Sequence, residues 1–374
     1  MPDQQLLWYL LGWSVLATVL AWRLPSRLQS LGIVTCGIGL LASVSAPSLA
    51  LLFSGTLLTY LAHRHSLGNK LVAIASIIAI CGVLVFFMLS EGVTNDRIGS
   101  GVMLPVGMAF YSLRLIHYTM ESYKGTLRPH SLGDYLCYQF FPSALPVGPI
   151  HRFDEFLRDL RRRRWDPGHF SGGLERILYG LAKLVVLGNY LVGQKMALVL
   201  AEPMVQPGIE GVYFTALLFW IKLYVMFSGY SDIAIGFAAL MGFRLRENFS
   251  WPFLARNIND FWQRWHQSLS SWCRDYVFTP ALSVTRSHML AVLAAMVVLG
   301  LWHELSLRYL LWGGYHGLGI ACHRIFAERT GPWVLRLPMS LQRLWQIGAT
   351  LLTVHFVLFS FEITSLIERG ILGS

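Results

Sequence analysis

The sequence predicts an all-α protein that crosses a membrane many times. Three observations carry that reading. Hydrophobic residues make up 55% of the 374 residues and charged residues only 13%, whereas a soluble domain is about a quarter charged. The mean hydropathy is +0.51. Apolar runs recur along the whole length, and a run of roughly 18 or more residues can cross a bilayer as a helix.

The runs give about ten spanning helices with re-entrant and interfacial pieces between them. The first five fall at 6–22, 30–44, 47–62, 71–90 and 101–118. No apolar segment precedes a small-residue cleavage site, so the run Leu6–Trp22 is expected to stay as a helix. Orientation comes from the loops. Arg23 and Arg27, Arg64 and Lys70 in "HRHSLGNK", and Lys124 and Arg128 in "ESYKGTLRPH" share one side if each run crosses once. The intervening loop "EGVTNDRIGSG" leans acidic. Basic loops face the cytoplasm, which puts Met1 outside.

Leu136–Ile150, "LCYQFFPSALPVGPI", is apolar but holds Pro142, Pro146, Gly148 and Pro149. Proline removes a donor and breaks a helix. Broken backbone at membrane depth needs protein or a wet cavity around it, so this piece reads as re-entrant. It leads into "HRFDEFLRDLRRRRWDPG", where Arg161–Arg164 place the segment at the cytoplasmic lipid surface. An interfacial helix accounts for it; docking of an acidic partner or anionic cofactor is the sharper alternative. Helices follow at 174–200 and 211–229, joined by the outer turn "EPMVQPGIEG", then at 287–302, 308–326 and 341–362. The chain reads as one membrane domain over 1–374, with no soluble domain, repeat or low-complexity tract.

Several function classes drop out. The net charge of +10 fits topology and anionic lipid heads and does not point to nucleic acid. Cys36, Cys81, Cys137, Cys273 and Cys322 show no CxxC spacing and read as buried thiols. There is no GxSxG, no HExxH and no Walker loop; "HELSL" has Leu307 where a zinc helix needs histidine, so no metal is expected.

Ionisable residues inside membrane segments are costly and therefore candidates for function. Three places hold them. "MFSGYSDIAIG" puts Tyr230, Ser231 and Asp232 between apolar flanks, and "SGYSD" reads as a break between two helical pieces. "FWQRWHQSLSSWCRDYVF", Phe261–Phe278, holds Arg264, His266, Arg274 and Asp275 among aromatic rings. "VVLGLWHELSLRYLLWGGYHG" ends one helix at His303 and Glu304 and places His316 inside the next. Each has a plain structural account. Asp232 can cap or form an ion pair, His316 can be a hydrogen-bonded core histidine, and the Arg264–Asp275 charges can be a solvated face. His303 follows an aliphatic helix with no other polar group, so it needs a partner or a wet cavity. A histidine near neutral pKa suits general-base activation of a hydroxyl, and a thioester is reactive enough to be attacked that way.

At these residues the chain resembles the membrane-bound O-acyltransferase family, in the bacterial branch of alginate O-acetyltransferase-like and teichoic acid D-alanyl transfer proteins. The pieces that carry the resemblance are "LPVGPIHRF", "FSGYSDIAIGFAALMGFRLRENFSWPFLARNINDFWQRWHQSLSSWCRDYVF" and "GLWHELSLRYLLWGGYHG", which together span 145–317. The resemblance implies that His303 is the catalytic histidine and His266 the second polar position. It also implies substrate- or donor-contacting roles around them, for Asn257, Asp260, Trp262, Arg264, Trp265, Arg274, Asp275, Tyr230, Ser231, Asp232, Trp302, Glu304 and His316. The aromatic-basic segment then packs as amphipathic and re-entrant pieces, part of a funnel toward a buried histidine, with arginines that can meet phosphates of lipid or donor. Two features depart from the family pattern. The loop after "RDYVFTP" is short, "ALSVTRSH", and Glu304 stands where a small residue is usual. A carboxylate there either orients His303, alters the acceptor or faces outward.

The implied activity is transfer of an acyl group, acetyl first, from a cytoplasmic thioester across the bacterial cytoplasmic membrane. The acceptor is a hydroxyl on an exported glycan, or a periplasmic relay acyltransferase partner. The donor is acetyl-CoA as substrate, with no bound cofactor; an acyl carrier protein delivering an aminoacyl or longer acyl group is the alternative. Membrane lipid is the remaining partner, and a lipid acyltransferase the remaining enzymatic rival. A transporter or scaffold would predict symmetry between the halves, and none is seen.

Overall fold

The computed structural model describes residues 4–64, 68–94, 105–201 and 208–372. The loops expected at 91–101 and 202–211, the middle of "HRHSLGNK", and the start of the expected helix 101–118 lie wholly or partly outside the described residues. Every described regular element is helical. The chain divides into two units, Met1–Leu181 with Gly229–Arg246, and Ala182–Ser228 with Glu247–Ser374.

The first unit contains α1 (Gln4–Arg23), α2 (Ser26–Val44), α3 (Ala46–Arg64), α4 (Lys70–Thr94), α5 (Met108–Lys124), α6 (Leu132–Gln139), α7 (Phe153–Arg162) and α8 (Pro167–Leu181). It also takes the end of α9 (Ile209–Leu240). The surface pattern is inverted relative to a soluble protein. On α4, Leu71, Ile78, Phe86 and Leu89 are exposed, while Ser14, Ser48, Thr56, His63, Ser112 and Thr119 are buried. Apolar groups facing out and polar groups facing in suit a lipid solvent. Cys81 follows the same logic: it is exposed on α4, and Cys322 is exposed too, so only Cys36, Cys137 and Cys273 are the buried thiols expected.

Helix α6 starts on a capping box, with Ser131 accepting from the Asp134 N–H and Asp134 accepting from the Ser131 N–H. It stops at Gln139, where the prolines predict a break. From Phe140 to Arg152 every residue but Val147 is buried. The Tyr138 hydroxyl donates to the His151 carbonyl at 2.9 Å, and the Phe153 N–H donates to His117 Nε2 at 2.9 Å. Protein therefore covers this irregular stretch and satisfies part of its backbone. Gly37 of α2 sits against the Phe140 carbonyl, where a side chain would collide with the backbone.

Helix α7 is amphipathic, burying Phe153, Phe156 and Leu157. The arginines after it do not all lie at a lipid surface. Arg162 and Arg164 point outward. Arg161 donates to the Pro129 carbonyl at 2.6 Å. Arg163 turns inward, donating to Gln29 Oε1 at 2.6 Å, the Met241 carbonyl at 3.1 Å and the Ala21 carbonyl at 3.3 Å. Carbonyls at the ends of α1 and α9, left without partners inside their helices, hold it there.

The break expected at "SGYSD" does not occur: α9 runs unbroken for 32 residues. Its small residues serve close approach instead. A side chain on Gly180 would lie 2.7 Å from the Gly229 carbonyl, and one on Gly236 2.7 Å from the Gly173 carbonyl. Glycines seven apart on each helix let the backbones meet, as small residues do between membrane helices.

The second unit contains α10 (Ile258–Arg264), α11 (Gln267–Cys273), α12 (Thr279–Thr285), α13 (His288–His303), α14 (Leu307–Val334), α15 (Met339–Leu358) and α16 (Ser360–Leu372). It also holds the π-type continuation of α8 over Ala182–Met196 and the start of α9. Ser287 caps α13 and Ser306 caps α14. Gly300 meets the Tyr309 carbonyl and Gly313 the Met296 carbonyl, so α13 and α14 approach at backbone contact.

Among the described residues, five helices are long and apolar enough to cross a membrane: Gln5–Arg23, Ser26–Val44, Lys70–Ser90, Pro167–Val199 and Ile209–Leu240. The α15–α16 pair, bent by 43°, makes a sixth if it is one span. The other expected spans exist as helices but differ in composition or length. α3, α5 and α14 carry inward polar groups such as His63, Arg114 and His316, and α13 has 16 residues, about 24 Å of rise.

Candidate active site

Three short elements of the second unit place the candidates. The Asn257 side chain accepts from the Asp260 N–H at 2.8 Å and so caps α10. Asp260 accepts from the Arg256 N–H at 3.1 Å and pairs with Arg264 Nε at 2.7 Å. Arg264 also donates to the Ser250 carbonyl at 3.3 Å. Asn257, Asp260 and Arg264 are thus occupied in holding the helix and its loop together. Arg274 and Asp275 pair with each other at 3.1 Å, with Arg274 exposed, as a solvated face would.

Between α10 and α11 the chain turns at His266, in the left-handed region at φ 44° and ψ 52°. A side chain there is strained by about 1–2 kcal/mol and persists only where the surroundings fix it. They do. The Gln267 N–H donates to the Asn248 carbonyl at 2.9 Å and Ser268 Oγ to Asn248 Oδ1 at 2.6 Å. The His266 ring packs edge-on to Phe227 at 4.7 Å and to Trp302 at 6.3 Å. It is 2% exposed. Burial, with a smaller contribution from the neighbouring His303, pushes its pKa down to about 3, so the imidazole is neutral throughout the physiological range. Sequence context suggested a solvated histidine; the rings of α9 and α13 cover it instead.

His303 is the reverse. It ends α13, and its side chain is exposed. Trp302 lies 4.7 Å away, Tyr309 stacks at 6.0 Å and Trp312 stands edge-on at 6.0 Å. Among the described residues nothing hydrogen-bonds its ring. The histidine expected to be buried keeps an accessible ring edge because α13 stops there, while the rings and helix end around it still desolvate it and push its pKa down to about 4. Glu304 leaves the helix in extended conformation and its N–H donates to the Gly300 carbonyl at 3.3 Å. Its side chain is exposed, and among the described residues it makes no ion pair or hydrogen bond, with His303 or otherwise.

His316 is fully buried, with Trp312 at 4.7 Å, Trp262 at 5.2 Å and Phe356 at 5.6 Å. Its ring nitrogens have no hydrogen-bond partner among the described residues, so it is not the hydrogen-bonded core histidine expected. Trp302 thus touches both His266 and His303, and Trp312 both His303 and His316. Trp265 lies one ring behind these, stacked on Phe261 at 5.6 Å and edge-on to Phe249 at 5.1 Å and Trp220 at 5.4 Å. Tyr230, Ser231 and Asp232 belong to the first unit, where Asp232 pairs with Arg176 at 3.0 Å.

Sequence reasoning passed over Trp312, Tyr309 and Ser360. Trp312 Nε1 donates to Ser360 Oγ at 3.1 Å, at the bend between α15 and α16, and its ring stacks on Phe361 at 5.4 Å. The available signal was the spacing of Tyr309, Trp312 and His316, which shares one face of a helix. A cavity of about 940 Å³ opens between α14 and α15, lined by Arg256, Asn257, His323, Phe326 and Trp345 among others; neither His266 nor His303 is in its wall. Among the described residues no three His, Cys, Asp or Glu side chains are placed to hold a metal ion.

The arrangement offers one accessible imidazole at the foot of three aromatic rings, backed by a neutral buried one. Comparison with known proteins shows which chains this one is similar to. The chain is 32% identical over 269 residues to a probable alginate O-acetylase of Pseudomonas aeruginosa, covering 70% of this chain and 49% of the relative. It is 29% identical over 276 residues to a teichoic acid D-alanyltransferase of Bacillus subtilis, covering 70% and 68%. It is 27% identical over 307 residues to a peptidoglycan O-acetyltransferase of Helicobacter pylori, covering 73% and 57%. The chain spans about half the length of the alginate O-acetylases it matches. Residues 4–364 match the family model of the membrane-bound O-acyltransferases, and the chain belongs to that family.

Proposed function

We propose that this protein transfers an acyl group, acetyl in the first instance, from a cytoplasmic thioester to a hydroxyl on an exported polysaccharide or on a relay partner. The observation that carries the reading is His303: an exposed imidazole, framed by Trp302, Tyr309 and Trp312, in a chain of this family. The free ring nitrogen takes the proton of the acceptor hydroxyl as its oxygen attacks the thioester carbonyl carbon. The C–S bond breaks, and the imidazolium returns the proton to the departing thiolate. His266 does not meet the reacting atoms in this reading. It is a positioning residue that holds Trp302 against His303.

Acetyl-CoA is the proposed donor because alginate O-acetylases and a peptidoglycan O-acetyltransferase are among the relatives. A carrier protein delivering an aminoacyl group is the second reading, favoured by the teichoic acid D-alanyltransferase, more of whose length is matched. The test is purified protein in liposomes with acetyl-labelled CoA on one side and a hydroxylated glycan on the other. Label on the glycan is expected. Label that moves only from a charged carrier protein would replace the first reading with the second, and label on lipid would overturn both. The protein is proposed to sit in the bacterial cytoplasmic membrane with its N-terminus outside and Arg161–Arg164 inside. A cysteine at Ser171, an exposed position, should then resist an impermeant maleimide in intact cells.

A further inference from the structure

The first unit buries an arginine that, among the described residues, nothing pairs. Arg114 lies on α5 and is 1% exposed. None of its three guanidinium nitrogens has a hydrogen-bond partner among the described residues. An arginine does not lose its proton inside a protein, and a buried charge is tolerated only when it is paired and hydrogen-bonded. The groups whose electrostatics reach Arg114 are Tyr138, Tyr135 and Tyr111; no carboxylate is among them. Other acids of this unit are engaged elsewhere, Asp134 with Arg161, Glu155 with Arg246, Asp159 with Arg158, Glu121 with Lys124 and Asp232 with Arg176; Asp154, whose Oδ1 is buried without a hydrogen bond among the described residues, is not among the groups that act on Arg114.

The polar atoms around it narrow the chemistry. Tyr138 Oη is spent on the His151 carbonyl, and Tyr135 Oη on Thr59 and on Gln139 Nε2, which reaches it at 3.0 Å. Tyr111 Oη, one helical turn before Arg114 on the same face, is buried and makes no hydrogen bond among the described residues. A forked set of N–H donors and one hydroxyl are thus left, with one positive charge and aromatic walls; the one unspent acceptor of these side chains, Gln139 Oε1, is neutral and leaves that charge uncompensated. We propose that Arg114 and Tyr111 form a buried binding site for one small monovalent anion, a halide or the carboxylate of a small acid such as acetate. A carboxylate fits the guanidinium fork through two parallel bonds. A dianion would leave a surplus charge in the same dry surroundings.

The site is tested on the full chain in detergent at constant ionic strength. Sodium gluconate, a bulky polyhydroxylated anion used as the reference, is replaced stepwise by chloride, bromide or acetate, and thermal unfolding is followed. A saturable rise in Tm on the order of 5 °C is expected for the anion that binds. Chloride and bromide acting at lower concentration than acetate assign a halide site, and the reverse order a carboxylate site. Arg114→Gln should remove the dependence, and Tyr111→Phe should raise the half-saturating concentration by about fivefold. If Arg114→Gln does not fold, Tyr111→Phe and an anomalous bromide signal beside Arg114 decide the matter. Equal Tm in all four salts, an unchanged titration in either variant, or no bromide at Arg114 at a saturating concentration would overturn the proposal.

Discussion

His266 and His303 stand in opposite settings, and each setting is the reverse of what its neighbours in sequence suggest. His266 is flanked by Arg264 and Gln267 yet is 2% exposed beneath Phe227 and Trp302. His303 ends a sixteen-residue, mostly aliphatic helix yet its side chain is exposed. The difference teaches that in a membrane bundle the polarity of a segment says little about the burial of one side chain in it. Tertiary contact decides. A strained turn puts His266 under aromatic cover, whereas the end of α13 carries His303 out of its packing. Two histidines that look like a pair in the sequence thus fill unlike roles.

The sharpest break of that contrast is His303→Ala. The side chain is exposed and packs only against rings, so the variant should fold and melt close to wild type. Its transfer rate should fall by about 10²–10⁴-fold, the range general-base catalysis supplies. Initial rates of labelled acetyl transfer beside a thermal melt give both numbers. Wild-type activity would remove His303 from the chemistry.

His266→Ala should show the other signature. Removing a buried, packed ring should cost about 1–3 kcal/mol of stability and slow transfer without abolishing it, through misplacement of Trp302. Because φ is 44° there, His266→Gly should recover about 1 kcal/mol relative to His266→Ala while leaving the rate equally low. If Gly and Ala melt alike, the left-handed turn is not retained in the protein. If both are as inactive as His303→Ala while their donor binding is intact, the two histidines share the proton transfer.

Burial lowers the pKa of both histidines, His303 to about 4 and His266 to about 3, so acid stability tests His266 against its own variant. The His266 pKa is lowered from 6.5 to about 3, so between these values the unfolded chain binds a proton that the folded one refuses. The contribution is fully present above 6.5 and is lost as pH falls. Lowering pH from 7 to 5 should therefore cost wild type about 2 kcal/mol more than His266→Asn, an order-of-magnitude figure from that single linkage. Denaturant melts of both proteins at the two pH values provide the comparison. Parallel losses would mean that His266 is not buried neutral.

Much of the fold was legible because the signals were local. The helix break before Pro142, the apolar length of α4 and the amphipathic α7 follow from composition and spacing alone. What escaped depends on a second helix. "SGYSD" looks like a break until α8 presents Gly173 and Gly180 to it. Arg163 looks like a lipid-facing charge until the carbonyls of Ala21 and Met241 are placed beside it. The site divides the same way. His303 could be singled out as the one polar group at the end of an aliphatic helix. Trp312 could not, because a tryptophan in an apolar run is equally at home against lipid, and only Ser360 at the bend of α15 and α16 shows that it faces inward.

Glu304→Gln is the smallest expected effect and tests whether His303 works without a carboxylate. A base oriented by a neighbouring acid depends on that acid for its tautomer and for stabilising the imidazolium, as in the Ser-His-Asp arrangement, where loss of the acid is severe. Glu304 has the adjacency for such a role but not the geometry. The backbone turns extended at Glu304, so its side chain leaves the helix as His303 ends it, and among the described residues no bond joins the two. The substrate hydroxyl and the rings of Trp302, Tyr309 and Trp312 are then what set the imidazole. Glu304→Gln should change the transfer rate by less than about twofold and leave its pH profile in place. A loss of tenfold or more with a shifted profile would show that Glu304 swings onto His303 when the donor binds, and the contrast between the two histidines would have to be redrawn as one between two dyads.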